Sequence, residues 1–89
     1  MKHRYLEVTF RRGKPLSAYL YLPRKPGATV ARTTDAGQGM KIDYDASGAP
    51  MGVEITAPAA ITVDEINAVL RGLGQSELPS EEWAPLRAA

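Results

Sequence analysis

Eighty-nine residues leave room for one domain, and a chain this short hides only about 60% of its unfolded surface on folding. With 44% hydrophobic and 24% charged residues it sits near the globular average, which excludes disordered, collagen-like and membrane-spanning classes. The lack of cysteine excludes disulfides and thiolate chemistry, and Lys2, His3 and Arg4 run into Glu7 and Arg11 without the apolar stretch of an export signal, so a cytoplasmic location is expected.

The net charge of +1 conceals a segregation. Residues 1–34 hold eight Lys and Arg against Glu7 alone, a net of +7, whereas the rest sets Lys41, Arg71 and Arg87 against nine carboxylates, a net of −6. Whether this makes a basic face or a self-neutralising fold depends on where the strands lie.

Alternation marks the first strand, with Leu6, Val8 and Phe10 on one face and Tyr5, Glu7, Thr9 and Arg11 on the other. Past Arg12-Gly13-Lys14, a turn in which Gly13 accepts positive φ, Leu16, Ala18, Leu20 and Leu22 alternate with Ser17, Tyr19 and Tyr21, completing a hairpin. Pro23 and Pro26 forbid a central strand, and a weaker extended run covers Ala28 to Thr34, followed by a loop over Asp35-Ala36-Gly37-Gln38-Gly39. Met40, Ile42 and Tyr44 then alternate with Lys41, Asp43 and Asp45. Beyond the turn Ala46-Ser47-Gly48, Met51, Val53 and Ile55 alternate with Gly52, Glu54 and Thr56, giving a second hairpin.

From Ala57-Pro58 the period lengthens. Thr62 and Glu65 have the capping-box spacing, Val63, Ile66, Val69, Leu70 and Leu73 form one apolar stripe, and Gly74 suits a left-handed stop, so a helix is expected over 62–73. Ser80-Glu81-Glu82 starts a further helical turn that Pro85 keeps short. The expected fold is therefore a single α+β domain over residues 1–89: an antiparallel β-meander of about five strands within 4–56, one C-terminal amphipathic helix on its apolar face, and a tail from 75 to 89.

The run Gly39-Met40-Lys41-Ile42-Asp43-Tyr44-Asp45-Ala46-Ser47-Gly48, followed by Gly52-Val53-Glu54-Ile55 and preceded by Ala18-Tyr19-Leu20-Tyr21-Leu22, resembles the YuzE-like family, a small bacterial family of unknown function. The likeness spans residues 4–56. It implies an antiparallel sheet with a helix, no established activity, and a binding role beside small toxin-like partners. The first turn, Arg11-Arg12-Gly13-Lys14-Pro15, departs from the acidic turn common in that pattern.

Several chemistries can be weighed on the residues alone. Asp43, Asp45, Ser47, Gly48 and Glu54 fall at positions of a calcium-loop template with Ala49 at its carbonyl position, but that loop needs flanking helices, whereas the flanks here alternate as strands and Pro50 lies where the chain must curl. The single imidazole, His3, stands at a fraying terminus, which argues against a Ser-His-Asp nucleophile and against zinc. Gly37-Gln38-Gly39 precedes a strand rather than opening a helix, unlike a phosphate loop. No metal or cofactor is expected.

Two surfaces remain. Tyr19, Tyr21, Asp43 and Glu54 share the sheet face turned away from the helix, and with a sheet edge they form the expected protein-interaction surface. Trp83, near Leu78 and Leu86, is either core cover for the helix end or an anchor for a partner. The expected function is a non-enzymatic protein-binding module, paired with itself as a homodimer or with a small neighbouring protein. The runner-up is a nucleic-acid binder using Arg, Lys and Tyr of the first half, although turns at alternate ends of a meander would set Asp35 and Asp45 where each offsets a basic turn. The third reading is a small hydrolase using the acidic sheet face.

Overall fold

The structure, a computed structural model, describes residues 4–87 and, among them, all side chains but those of Ser80 and residues 85–87. Lys2 and His3 lie outside the described residues. Five strands, β1 (Tyr5–Arg11), β2 (Lys14–Tyr21), β3 (Arg32–Gly37), β4 (Met40–Tyr44) and β5 (Pro50–Ile55), form an antiparallel sheet. A 3₁₀ turn (Pro58–Ala60) and two helices follow, α1 (Val63–Gly72) and α2 (Ser80–Arg87). The α+β architecture is the expected one, with β3, β4 and β5 a meander and β1–β2 a hairpin.

The order across the sheet is β1-β2-β5-β4-β3 rather than the order in the chain. The connection from Leu22 to Ala31 crosses one end of the sheet, so β5 pairs with β2 and β3 becomes the far edge. Along this connection Lys25 and Ala28 close a turn with Gly27 at φ 79°, and Ala31 N–H donates to Tyr44 O. The third strand therefore begins later than Ala28 and continues into the segment expected to be a loop. That segment shrinks to a two-residue turn: Gln38 and Gly39 both take positive φ, the backbone of a turn whose twist matches the flanking strands. Arg12 and Gly13 turn the first hairpin in the same way.

The apolar face follows the alternation. Leu6, Leu20, Val53, Ile42 and Thr34 lie opposite one another across all five strands, and Val8, Ala18, Ile55 and Met40 form the next row. The buried members join Ile66 and Leu70 of α1 in one core, with Val63, Val69 and Leu73 packed at its border. Phe10 and Leu16, expected to face inward, are each about half exposed, 47% and 50%. The reason is the register: β2 pairs with β5 only from Ala18 onward, so the end of the first hairpin projects past the sheet.

α1 starts on a full capping box. Glu65 N–H donates to Thr62 Oγ1 at 3.1 Å while Thr62 N–H donates to Glu65 Oε1 at 2.9 Å. It stops at Gly74 (φ 74°), where Gly74 N–H reaches Arg71 O and Gln75 N–H reaches Leu70 O, satisfying carbonyls the helix leaves free. Thr62→Ala is expected to cost about 1 kcal/mol, read as a lower urea midpoint with an unchanged slope. An unmoved midpoint would show that the cap contributes nothing to stability.

The tail is longer in helix than expected. α2 runs through Pro85 to Arg87 and packs on β1, β2 and the 3₁₀ turn. It carries Trp83, 1% exposed, into the core beside Leu78, while the side chain of Leu86 lies outside those described. Asn67 of α1 holds the tail in place: its buried Oδ1 accepts Leu78 N–H at 3.0 Å.

Candidate functional site

The sheet face opposite the helix is built from two cross-strand rows. One row is Tyr5, Tyr21, Gly52, Asp43 and Thr33, and the other is Glu7, Tyr19, Glu54, Lys41 and Asp35. Tyr19, Tyr21, Asp43 and Glu54 are thus brought together, as the alternation predicts. Trp83 is not among them: the anchor reading is corrected, because the tail folds back and buries the indole on the other side of the sheet.

Gly52 decides the geometry of this face. Tyr19 stands opposite Glu54, one row away from Gly52, yet its ring lies diagonally across the glycine, and a Cβ at position 52 would overlap the ring. Lying flat over β5, Tyr19 reaches β4, where its hydroxyl donates to Asp43 Oδ2 at 2.6 Å. Thr33 of β3 donates its hydroxyl to the other oxygen, Asp43 Oδ1. A single carboxylate therefore ties β2, β4 and β3 together through side chains, over a glycine that vacates the space. Burial pushes the Tyr19 phenol above its ordinary range, and the hydrogen bond to Asp43 and the nearby negative charge act in the same direction.

Beside Tyr19 the rings continue. Tyr21 lies 4.7 Å from it in a tilted contact and stacks on Tyr5 at 4.5 Å, and the Arg24 guanidinium sits 5.4 Å from the Tyr21 ring centre. Arg24 is itself fixed by donating to Met51 O. The Tyr21 hydroxyl reaches Glu7 at 3.3 Å, whose negative charge raises the Tyr21 pKa. Glu7, Ser17, Tyr19, Tyr21 and Glu54 border a shallow depression of about 250 Å3.

Sequence reasoning missed Gly52, Thr33 and Arg24 as members of this cluster, and placed Tyr5 beside Tyr19 and Tyr21 only in the nucleic-acid reading. A glycine within a well-formed strand signals close approach of another group, and Gly52 carried that signal. Thr33 and Arg24 carried none, since their positions depend on the strand order.

The residues of the calcium template are dispersed in use. Asp45 Oδ1 accepts from Ser47 N–H, Ser47 Oγ–H and Ala49 N–H, forming a self-contained turn that holds its carboxyl below the usual range, chiefly through the Ser47 hydroxyl. Asp43 serves Tyr19 and Thr33, and Glu54 faces Lys41 and Tyr19 across β5. No group of three or more His, Cys, Asp or Glu able to hold a metal ion occurs among the described residues.

Opposite charges approach each other at one end of the sheet, where Lys25 and Asp45 border the same hollow between the long connection and the β4–β5 turn. At the other end, Asp35 lies opposite Lys41 on β4, four strand positions from β1, roughly 19 Å at ordinary strand spacing. It does not offset Arg11, Arg12 and Lys14, so the expected mutual neutralisation fails at this end.

The chain matches no protein-family model, no curated protein and no solved structure. No helix among the described residues is long and apolar enough to cross a membrane.

The Tyr19–Asp43 contact has a spectroscopic signature. In an alkaline absorbance titration Tyr19 is expected to ionise well above pH 10. Because folding raises this pKa, its contribution to stability is complete below about pH 10 and is lost as pH rises toward the folded value. Gly52→Ala places a methyl where the ring lies and Asp43→Asn removes the charge, so each should bring the late transition down. Four tyrosines that ionise alike in the wild type would contradict the contact.

Proposed function

We propose that this chain is a non-enzymatic, cytoplasmic protein-binding module that recognises a second copy of itself or a small neighbouring protein through its tyrosine-bearing sheet face. The resemblance to YuzE-like proteins favours the same reading and suggests a toxin-like partner. The observation that carries it is the immobilised cluster Tyr5, Tyr21 and Tyr19, ordered by stacking, by Asp43 and by Arg24 on a face the helix does not cover. Aromatic side chains ordered before binding lose little rotamer freedom on contact, so more of the contact energy appears as affinity. The depression between Glu7 and Glu54 suits the head of a partner's Lys or Arg.

The test uses a partner recovered from the source cell and identified, with its affinity measured for the wild type and for Tyr5→Ser and Tyr21→Ser. Both rings sit at the surface end of the cluster, so the variants are expected to keep the fold and to lose affinity tenfold or more. A partner bound equally by both would remove this face from consideration.

Nucleic-acid binding is the second reading, favoured by the projecting end of the first hairpin, where Arg11, Arg12 and Lys14 are exposed and not offset by Asp35. Affinity for single-stranded oligonucleotides that falls steeply with salt and with Arg11→Glu would support it. The hydrolase reading draws on the same carboxylates as the binding face, but Asp43 has a hydroxyl on each oxygen and the Tyr19 phenol is held protonated, which leaves neither free as a base.

A further inference from the structure

The strand order leaves two open edges, β1 and β3, and they differ. β3 carries Arg32 and Asp35 and, in Ala36, an extra residue of its own against β4, which bends the edge; β1 carries Glu7 and Arg11, and the register shift at Thr9 and Phe10 puts its extra residue, Leu16, in β2. β1 displays two half-exposed rings, Tyr5 at 49% and Phe10 at 47%, and opposite charge at its two ends. At its C-terminal end stands Arg11 and just past it Arg12 and Lys14, all exposed, with no ion pair to a carboxylate among the described residues. Beside its N-terminal end α2 brings the exposed Glu81 and Glu82, which with Arg4, Tyr5, Leu6 and Leu78 border a depression of about 200 Å3; Arg4 is turned to the tail, donating to the carbonyls of Ser76 and Glu77, and leaves two carboxylates against one cation.

We propose that β1 is a self-association edge, which takes the second-copy branch of the functional reading and places it on the edge rather than the face. Antiparallel pairing of β1 with β1 of a second copy reverses the strand, so the basic turn of each copy meets Glu81 and Glu82 of the other, twice, about one two-fold axis. A second copy fits this edge because its basic and acidic ends lie along one strand in the order that self-pairing matches. An axis at Val8 pairs all seven residues of β1 and sets Glu7 against Thr9, whereas an axis at Glu7 would oppose two carboxylates. With the axis at Val8, Phe10 of each copy falls opposite Leu6 on the core side, at the depression beside α2, and Arg11 falls opposite the exposed Tyr5 ring. The two sheets become one.

The test is a charge exchange read by sedimentation over a wide concentration range. One variant carries Arg11→Glu with Lys14→Glu, sparing Arg12 in its left-handed turn, and the other carries Glu81→Lys with Glu82→Lys; all four positions are exposed. Each variant alone sets like charges against each other at both contacts and is expected to dimerise at least tenfold more weakly than the wild type. Mixed in equal amounts, they regain opposite charges at both contacts and should form the heterodimer with affinity near that of the wild type. Circular dichroism of each variant verifies the fold.

A wild type that stays monomeric to about 1 mM would overturn the proposal. So would a wild-type dimer indifferent to both exchanges, or one that the mixture fails to restore. In either of these two cases the effect of Tyr21→Ser on the same dimer decides whether association uses the tyrosine face, so the functional reading can survive the loss of the edge.

Discussion

Trp83→Ala is expected to lower stability by about 3–5 kcal/mol, in the upper range for truncating a buried aromatic. Trp83 is 1% exposed and shares a core with Leu20, Leu70 and Leu78, so its removal leaves a cavity in the layer where α2 packs on β1, β2 and the 3₁₀ turn. A domain of this size is held by roughly 0.05–0.15 kcal/mol per residue, so the variant stands close to unfolding at ordinary temperature. The indole Nε1–H is buried with no hydrogen-bond partner among the described residues, and Trp83→Phe, which deletes that group and keeps much of the volume, should cost distinctly less than Ala. Trp83 is the only tryptophan, which makes its fluorescence a report on tail docking. The fluorescence and circular-dichroism transitions in urea should coincide, since the tail and the sheet share one core. Fluorescence that changes first, with little loss of stability in Trp83→Ala, would restore the partner-anchor reading.

Trp83 also shows where the sequence stops being informative. Local features were legible: the faces of β2, β4 and β5, the Thr62–Glu65 cap and the stop at Gly74 each depend on residues within a few positions of one another. Burial of Trp83 depends on Asn67 binding Leu78 N–H across a gap of 11 residues, and no local periodicity encodes that. Proline and polar residues around Leu78 made the tail look detachable.

The strand order was hidden for a related reason. Alternation fixes which side a residue faces but not which strand is its neighbour, and the connection over residues 22–31 is long enough to cross the sheet end and let β5 insert beside β2. The Tyr19, Tyr21, Asp43 and Glu54 surface was still visible, because every residue keeps its face whatever the order. How these residues touch was not. Tyr19 reaches Asp43 only because Gly52 on β5 lies between their strands, and Thr33 joins them only because β3 is the strand beyond β4. The charge balance fell between the two: the ends at which Asp35 and Asp45 lie follow from antiparallel direction, while the distance of Asp35 from Arg11 follows from the order.

Leu20→Ala, Ile42→Ala and Val53→Ala test the face assignment on which the whole site rests. The three side chains lie in one row across β2, β5 and β4, and none is more than 8% exposed. Leu20→Ala is expected to cost about 2–5 kcal/mol, as transfer of the lost carbons plus the cavity they leave between the sheet and the helices. Ile42→Ala should fall in the lower part of that range, because Ile42 keeps some exposure and its neighbour in the row on β3 is Thr34. Val53→Ala removes fewer carbons, worth about 1.5 kcal/mol in transfer, but it lies on the central strand, where the surroundings are least able to close over the gap. Lys41→Ala, one residue from Ile42 and on the opposite face, should change stability by no more than about 0.5 kcal/mol. Urea midpoints at constant slope measure all four. Since a one-residue slip in a strand exchanges its two faces, small losses in the first three with a large loss at Lys41 would turn the sheet over and move Tyr19, Asp43 and Glu54 into the core.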